Sequence, residues 1–188
     1  MLLALLLGVT SAALQHPGSV PMAVSPSGAI GSGLHNDCAA SEPGIRIDVS
    51  GLRDRSGRLK LELYPANADD FLADDDALLR AGKVFRRVVT AVPPDGMVSL
   101  CVAVPRPGRY AVLVIHKRDG SRAFSISNDG VGLPGSQHIG RHRPPIEQAI
   151  VTVPETLAIV TARMQYLRGI AGFKPMPFRP MPFRPMAQ

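Results

Sequence analysis

Two stretches of strict alternation constrain this chain more than any other feature. Ile45, Ile47 and Val49 alternate with Arg46, Asp48 and Ser50, and Leu59, Leu61 and Leu63 alternate with Arg58, Lys60 and Glu62. A period of two places every apolar side chain on one side of an extended backbone, whereas a helix would scatter them around its circumference. Both stretches are read as half-buried strands. The polar run 53–57 between them ends in glycine, as suits a hairpin loop.

Further strands are read at 83–92, 97–104, 110–116, 148–153 and 157–166. Val98, Leu100, Val102 and Val104 share one face of their strand, while Tyr110 to His116 is apolar on both faces, the mark of a central strand covered on two sides. Pro93-Pro94-Asp95-Gly96 and Pro105-Arg106-Pro107-Gly108 mark turns. Asp76-Ala77-Leu78-Leu79-Arg80 reads as one short helix, capped by the aspartates at 74–76 and stopped by Gly82. Asp69, Asp70, Asp74, Asp75 and Asp76 lack the alternating spacing and the glycine of an EF-hand loop, so capping and solvation are preferred over calcium. About seven short strands, one short helix and no strand–helix alternation predict an all-β antiparallel sandwich.

The ends of the chain differ from its middle. Leu2 to Val9 is apolar and is followed by the small residues Thr10-Ser11-Ala12-Ala13, so 1–13 is read as a signal peptide, although no Lys or Arg precedes the apolar run. A buried N-terminal strand is the competing reading. Cys38 has no lipobox before it. Residues 14–43, rich in Pro, Gly and Ser, are expected to form a flexible arm, and 44–168 the β domain. Residues 169–188 hold a five-residue repeat, Phe173-Lys174-Pro175-Met176-Pro177, then Phe178-Arg179-Pro180-Met181-Pro182, then Phe183-Arg184-Pro185-Met186. Its prolines disfavour helix and ladder pairing and suit an extended, disordered tail. The tail is read either as inert or as a segment making weak, salt-sensitive contact with a membrane surface. The formal net charge is +6, part of it from Lys174, Arg179 and Arg184, and nothing in the rest demands nucleic acid.

Two cysteines in an exported chain suggest one disulfide, Cys38–Cys101, with two free thiols as the alternative. Cys101 alternates with Leu100 and Val102, so the bridge would staple the arm over the outer face of its sheet. The segment 116–146 carries the most unusual chemistry: His116, Asp119, Asn128, Asp129, His138, Arg141, His142 and Arg143. So long a connection in a small domain points to a binding loop. Arg141 and Arg143 oppose a bound cation at His138 and His142, and a strand-end His116 is more often a structural hydrogen-bonding group than a ligand. An anion site at Arg141, His142 and Arg143 is physically easier than a metal site. No Gly-x-Ser-x-Gly, Walker, His-Glu-x-x-His or Cys-x-x-Cys motif occurs, and no cofactor is expected.

Several local patterns occur in a fixed order: Val49-Ser50-Gly51-Leu52-Arg53, Pro107-Gly108-Arg109-Tyr110-Ala111-Val112 leading to His116, Gly130-Val131-Gly132-Leu133-Pro134, and Pro144-Pro145. Together they resemble the bacterial family named domain of unknown function 2141, over roughly 44–167. The resemblance implies an exported sandwich of immunoglobulin-like or prealbumin-like type with no established activity. Members often follow the strand-end histidine with an acidic, calcium-loop-like stretch. Here that stretch is His116-Lys117-Arg118-Asp119-Gly120-Ser121-Arg122, with one acid among three cations, so no metal role is carried over.

Two functional classes follow. The first is a non-catalytic binding or cell-envelope-associated module, periplasmic or secreted, whose partner is an envelope protein, a polymer or a small anionic ligand. The second is an enzyme accessory or metal-binding domain using 116–146, with His116, His138 and Asp129 as acid–base groups. The second requires those side chains to converge in one pocket.

Overall fold

The computed structural model describes residues 38–121, 123–136 and 138–177. The expected leader, most of the arm (14–37) and the end of the tail (178–188) lie outside the described residues. In chain order the elements are β1 (Gly44–Ser50), β2 (Arg58–Pro65), α1 (Asp75–Arg80), β3 (Arg86–Ala91), β4 (Val98–Ala103), β5 (Gly108–Lys117), β6 (Gly130–Gly132), β7 (Ile150–Val153), β8 (Leu157–Arg163), β9 (Gln165–Leu167) and β10 (Phe173–Pro175). They build two sheets, one of order β4-β1-β8, the other of order β10-β9-β6-β5-β2-β3 with β7 also paired to β5.

The predicted alternation is realised at the sandwich interface. Ile45, Ile47, Leu59, Leu61, Leu63, Leu100, Val112 and Val114 are all fully buried there. Burying a side chain of this size contributes about 1.5–3 kcal/mol relative to leaving it in water. β5 is apolar on its other face because a third layer covers it: Phe71, Leu78, Leu133 and Ala149 pack on Ala111, Leu113 and Ile115. The helix forms as read, with the Asp74 carboxylate accepting a hydrogen bond from the Ala77 amide at 2.9 Å. Two other aspartates of this region have separate partners: Asp70 pairs with Lys83 and Asp75 with Arg87, each at 2.6 Å.

Cys38 and Cys101 are joined as a disulfide across the outer side of the three-stranded sheet. The last residues of the expected arm are therefore anchored. The Val104 amide donates to the Pro43 carbonyl at 3.1 Å, and the Leu157 amide to Ala40 at 3.4 Å. In the chain-entropy description, closing a loop of sequence separation 63 contributes roughly 4 kcal/mol.

The structure corrects four expectations. β1 and β2 are not a hairpin: they lie in different sheets, and residues 51–57 cross the sandwich. Alternation sets which face a strand buries but says nothing about its neighbour. One pair, β1–β8, is parallel, because β8 enters the smaller sheet at the pole where β1 begins, Gly44 opposite Leu157. The strand expected at 157–166 breaks at Met164 and changes sheets. β8 ends at Arg163 in the smaller sheet and β9 starts at Gln165 in the larger one, with the Met164 amide between them donating to the Ser50 carbonyl at 2.8 Å.

The fourth correction concerns the tail. The domain does not end at 168, since the first repeat unit forms β10 against β9 and Phe173 is buried. Pro175 is tolerated because β10 lies at the sheet edge. Gly172 explains why this unit fits. Its φ is +74°, and a side chain there would place its Cβ 2.3 Å from the Gly140 backbone. The residues preceding the second and third phenylalanines are Pro177 and Pro182, whose ring holds φ near −65°.

Candidate functional site

His116 is the last interior-facing residue of β5 and is fully buried. Its Nε2 lies 2.7 Å from the Ser56 carbonyl, which can only accept, so Nε2 carries the proton. Nδ1 is then an acceptor, and the Tyr166 hydroxyl donates to it at 2.7 Å while accepting from the Arg53 amide at 3.0 Å. Burial holds the His116 pKa below the ordinary histidine value and pushes Tyr166 up to about 12. Gly130 makes the arrangement possible, because a Cβ there would meet the Tyr166 ring at 2.4 Å. The group is a closed chain of hydrogen bonds that fastens residues 51–57 to the sandwich.

Lys117 points to the opposite face of the same sheet. Its ammonium donates to the Asp129 carboxylate and to the Ala123 carbonyl, and both charged side chains are almost wholly buried. Asp129 also accepts from the amides of Arg118 at 3.2 Å and Ser125 at 2.8 Å. The Arg118 guanidinium donates to Asp54 and to the Asn128 side-chain oxygen, each at 2.7 Å. Asp119 accepts from the Ser121 amide at 2.9 Å, which holds its carboxyl below the usual range.

The remaining predicted residues are separate from these. His138 donates from Nδ1 to the Phe173 carbonyl at 3.1 Å, and Arg143 donates to the Phe71 carbonyl. Arg141 and His142 are exposed. The acid–base set His116, His138 and Asp129 therefore shares no hydrogen-bond partner, and Arg143, exposed like Arg141 and His142, gives a guanidinium N–H to Phe71. Within the expected binding loop, His116, Asn128 and Asp129 are held by partners at this pole, whereas Arg143 reaches the Phe71 carbonyl.

The other pole, roughly 20 Å away by strand rise along β5, is open. A cleft of about 740 Å³ is lined there by Pro65, Asn67, Asp70, Lys83, Arg106 and Arg109, with Val84, Pro105, Pro107 and Tyr110 supplying apolar wall. Its volume lies within the range of small-molecule sites. The turn 105–107 that leads into β5 is stiffened by two prolines and by the Tyr110 hydroxyl, which donates to the Arg106 carbonyl at 2.8 Å. On the facing wall, Asp70 accepts from Lys83 at 2.6 Å and from the Asn67 amide group at 2.7 Å, and these bonds hold its carboxyl below the usual carboxylate range.

Asp70 is the one acid in the lining, and it is fully committed. Arg106 and Arg109 make no ion pair among the described residues. The cleft is therefore electropositive. In the sequence, Pro105-Arg106-Pro107-Gly108 reads as a turn and no more. Two cations within four residues at a proline-rich strand start, with no acid nearby in sequence, are the available signal.

No curated protein and no solved structure matches this chain. A family model described as "Uncharacterized protein conserved in bacteria (DUF2141)" matches residues 47–160, more than half of the sequence. The match runs from within β1 to within β8 and leaves out β9 and β10. The chain belongs to that bacterial family, DUF2141.

Proposed function

We propose that the chain is an exported, non-catalytic binding module whose ligand site is the cleft formed by residues 65–70, 82–84 and 105–110. The observation that carries this reading is the contrast between the two poles. At the His116 pole the buried polar groups hold one another, whereas the cleft pairs a concave surface with two guanidinium groups left without carboxylate partners. A rigid backbone under those groups lowers the ordering cost of binding. Export is supported by the apolar leader and by the disulfide, which persists in oxidising compartments.

The test is a fragment screen on the uniformly labelled mature protein, read by amide chemical-shift changes. Shifts concentrated at 65–70, 82–84 and 105–110 are expected. Shifts concentrated at 116–146, or none anywhere for neutral and charged fragments alike, would overturn the assignment.

A further inference from the structure

We infer that the cleft takes a small organic anion, a carboxylate or phosphate group carried on an apolar body; this deepens the binding reading above and rests on it. Three observations converge. The lining holds Lys83, Arg106 and Arg109 against Asp70 alone, so one acid faces three cations. Lys83 gives only one of its three N–H donors to Asp70, and its side chain remains 46% exposed. The rest of the lining is uncharged, and Pro65, Val84, Pro105, Pro107 and Tyr110 contribute apolar surface beside the cations.

The chemistry selects the ligand class. A guanidinium offers paired N–H donors that match the two oxygens of a carboxylate or phosphate, and such charge-assisted bonds are the stronger kind. Arg106 sits on the turn held by Pro105, Pro107 and the Tyr110–Arg106 bond, and Arg109 sits three residues on, in the first residues of β5 where that strand pairs with β7. One guanidinium is thus carried by a stiffened turn and the other by a sheet strand, both lining the same cleft. The proline walls beside them favour a ligand that continues into hydrocarbon rather than one that is charged throughout. A cationic ligand would meet three like charges, and Asp70 has no oxygen left free of a hydrogen bond.

The experiment is calorimetric titration of the mature protein with four probes: hexanoate, hexyl phosphate, hexanol and inorganic phosphate. Each titration is paired with amide shift mapping. The two hexyl anions are expected to bind in the cleft at least tenfold more tightly than hexanol or inorganic phosphate, with affinity falling as salt rises. Whichever of the two anions binds more tightly identifies the headgroup. The double variant Arg106→Gln/Arg109→Gln should lose roughly tenfold or more of that affinity, with its melting temperature unchanged because neither side chain holds the fold together. Hexanol binding in the cleft as tightly as the anions would overturn the anion assignment while leaving the binding reading in place. Failure of all four probes to shift cleft amides, with shifts at 116–146 instead, would overturn both.

Discussion

Lys117 and Asp129 form the most tightly buried charge pair among the described residues, and neither partner can be removed cheaply. Lys117→Met keeps the apolar stem but leaves the Asp129 carboxylate buried beside two amides with no counter-charge. Breaking a buried pair from one side costs about 3–5 kcal/mol, so chemical denaturation of this variant should show a loss of that order. His116 makes a second residue-scale prediction. The unfolded chain takes up a proton at this imidazole near pH 6.5, whereas the folded protein resists it to lower pH because the site is buried and Nδ1 already accepts from Tyr166. In that window the unfolded state binds more protons, so stability is full above it and falls as pH falls through it, levelling once the folded imidazole is also charged. Melting temperature should therefore drop between about pH 7 and 5, and His116→Gln should flatten the drop. Asp54 and Asp70, whose pKa values are lowered, add their own losses only in more acidic solution. Part of this was legible beforehand: His116 shares parity with Val112 and Val114, which places it in the interior. The partner of Asp129 was not, because nothing local in 117–129 tells which of its cations turns inward.

At the scale of elements, what could be read was the period and what could not was the pairing. Alternation located β1, β2, β4 and β5, and the double-sided apolarity of β5 announced its central place. The same alternation is silent about which strand lies beside which, so the β1–β2 connection resembled a hairpin and proved to cross between sheets. The break at Met164 was hidden because an apolar run can be one strand or two segments meeting at a corner. β10 was hidden by its prolines, which suggested a tail, while the residue that admits it is Gly172. Truncation separates the two boundaries. A chain ending after Pro177 should melt as the full chain does, whereas one ending after Arg168 loses β10 and the burial of Phe173. Loss of a buried phenylalanine costs about 3–5 kcal/mol, and the melting temperature of the shorter chain should fall accordingly. Equal melting of both truncations would return the boundary to 168.

The molecule as a whole is polar in its organisation. Residues 51–57, 93–96 and 118–129 close one end through bonds that begin and finish within the protein, including Arg55 donating to the Gly96 carbonyl at 2.9 Å. The disulfide-anchored entry segment and the open cleft occupy the end where β1 begins. The unusual residues of 116–146 are divided: His116, Asn128 and Asp129 take part in closing that pole, whereas His138 bonds Phe173, Arg143 bonds Phe71, and Arg141 and His142 are exposed. The account stands on the claim that ligands meet this protein at the cleft pole and not at the basic loop. The most direct measurement compares Arg106→Gln/Arg109→Gln with Arg141→Gln/His142→Gln, each titrated with hexyl phosphate beside the unaltered protein. The first pair should lose most of the affinity and the second should leave it unchanged. Full affinity in the first pair with loss in the second would contradict the account.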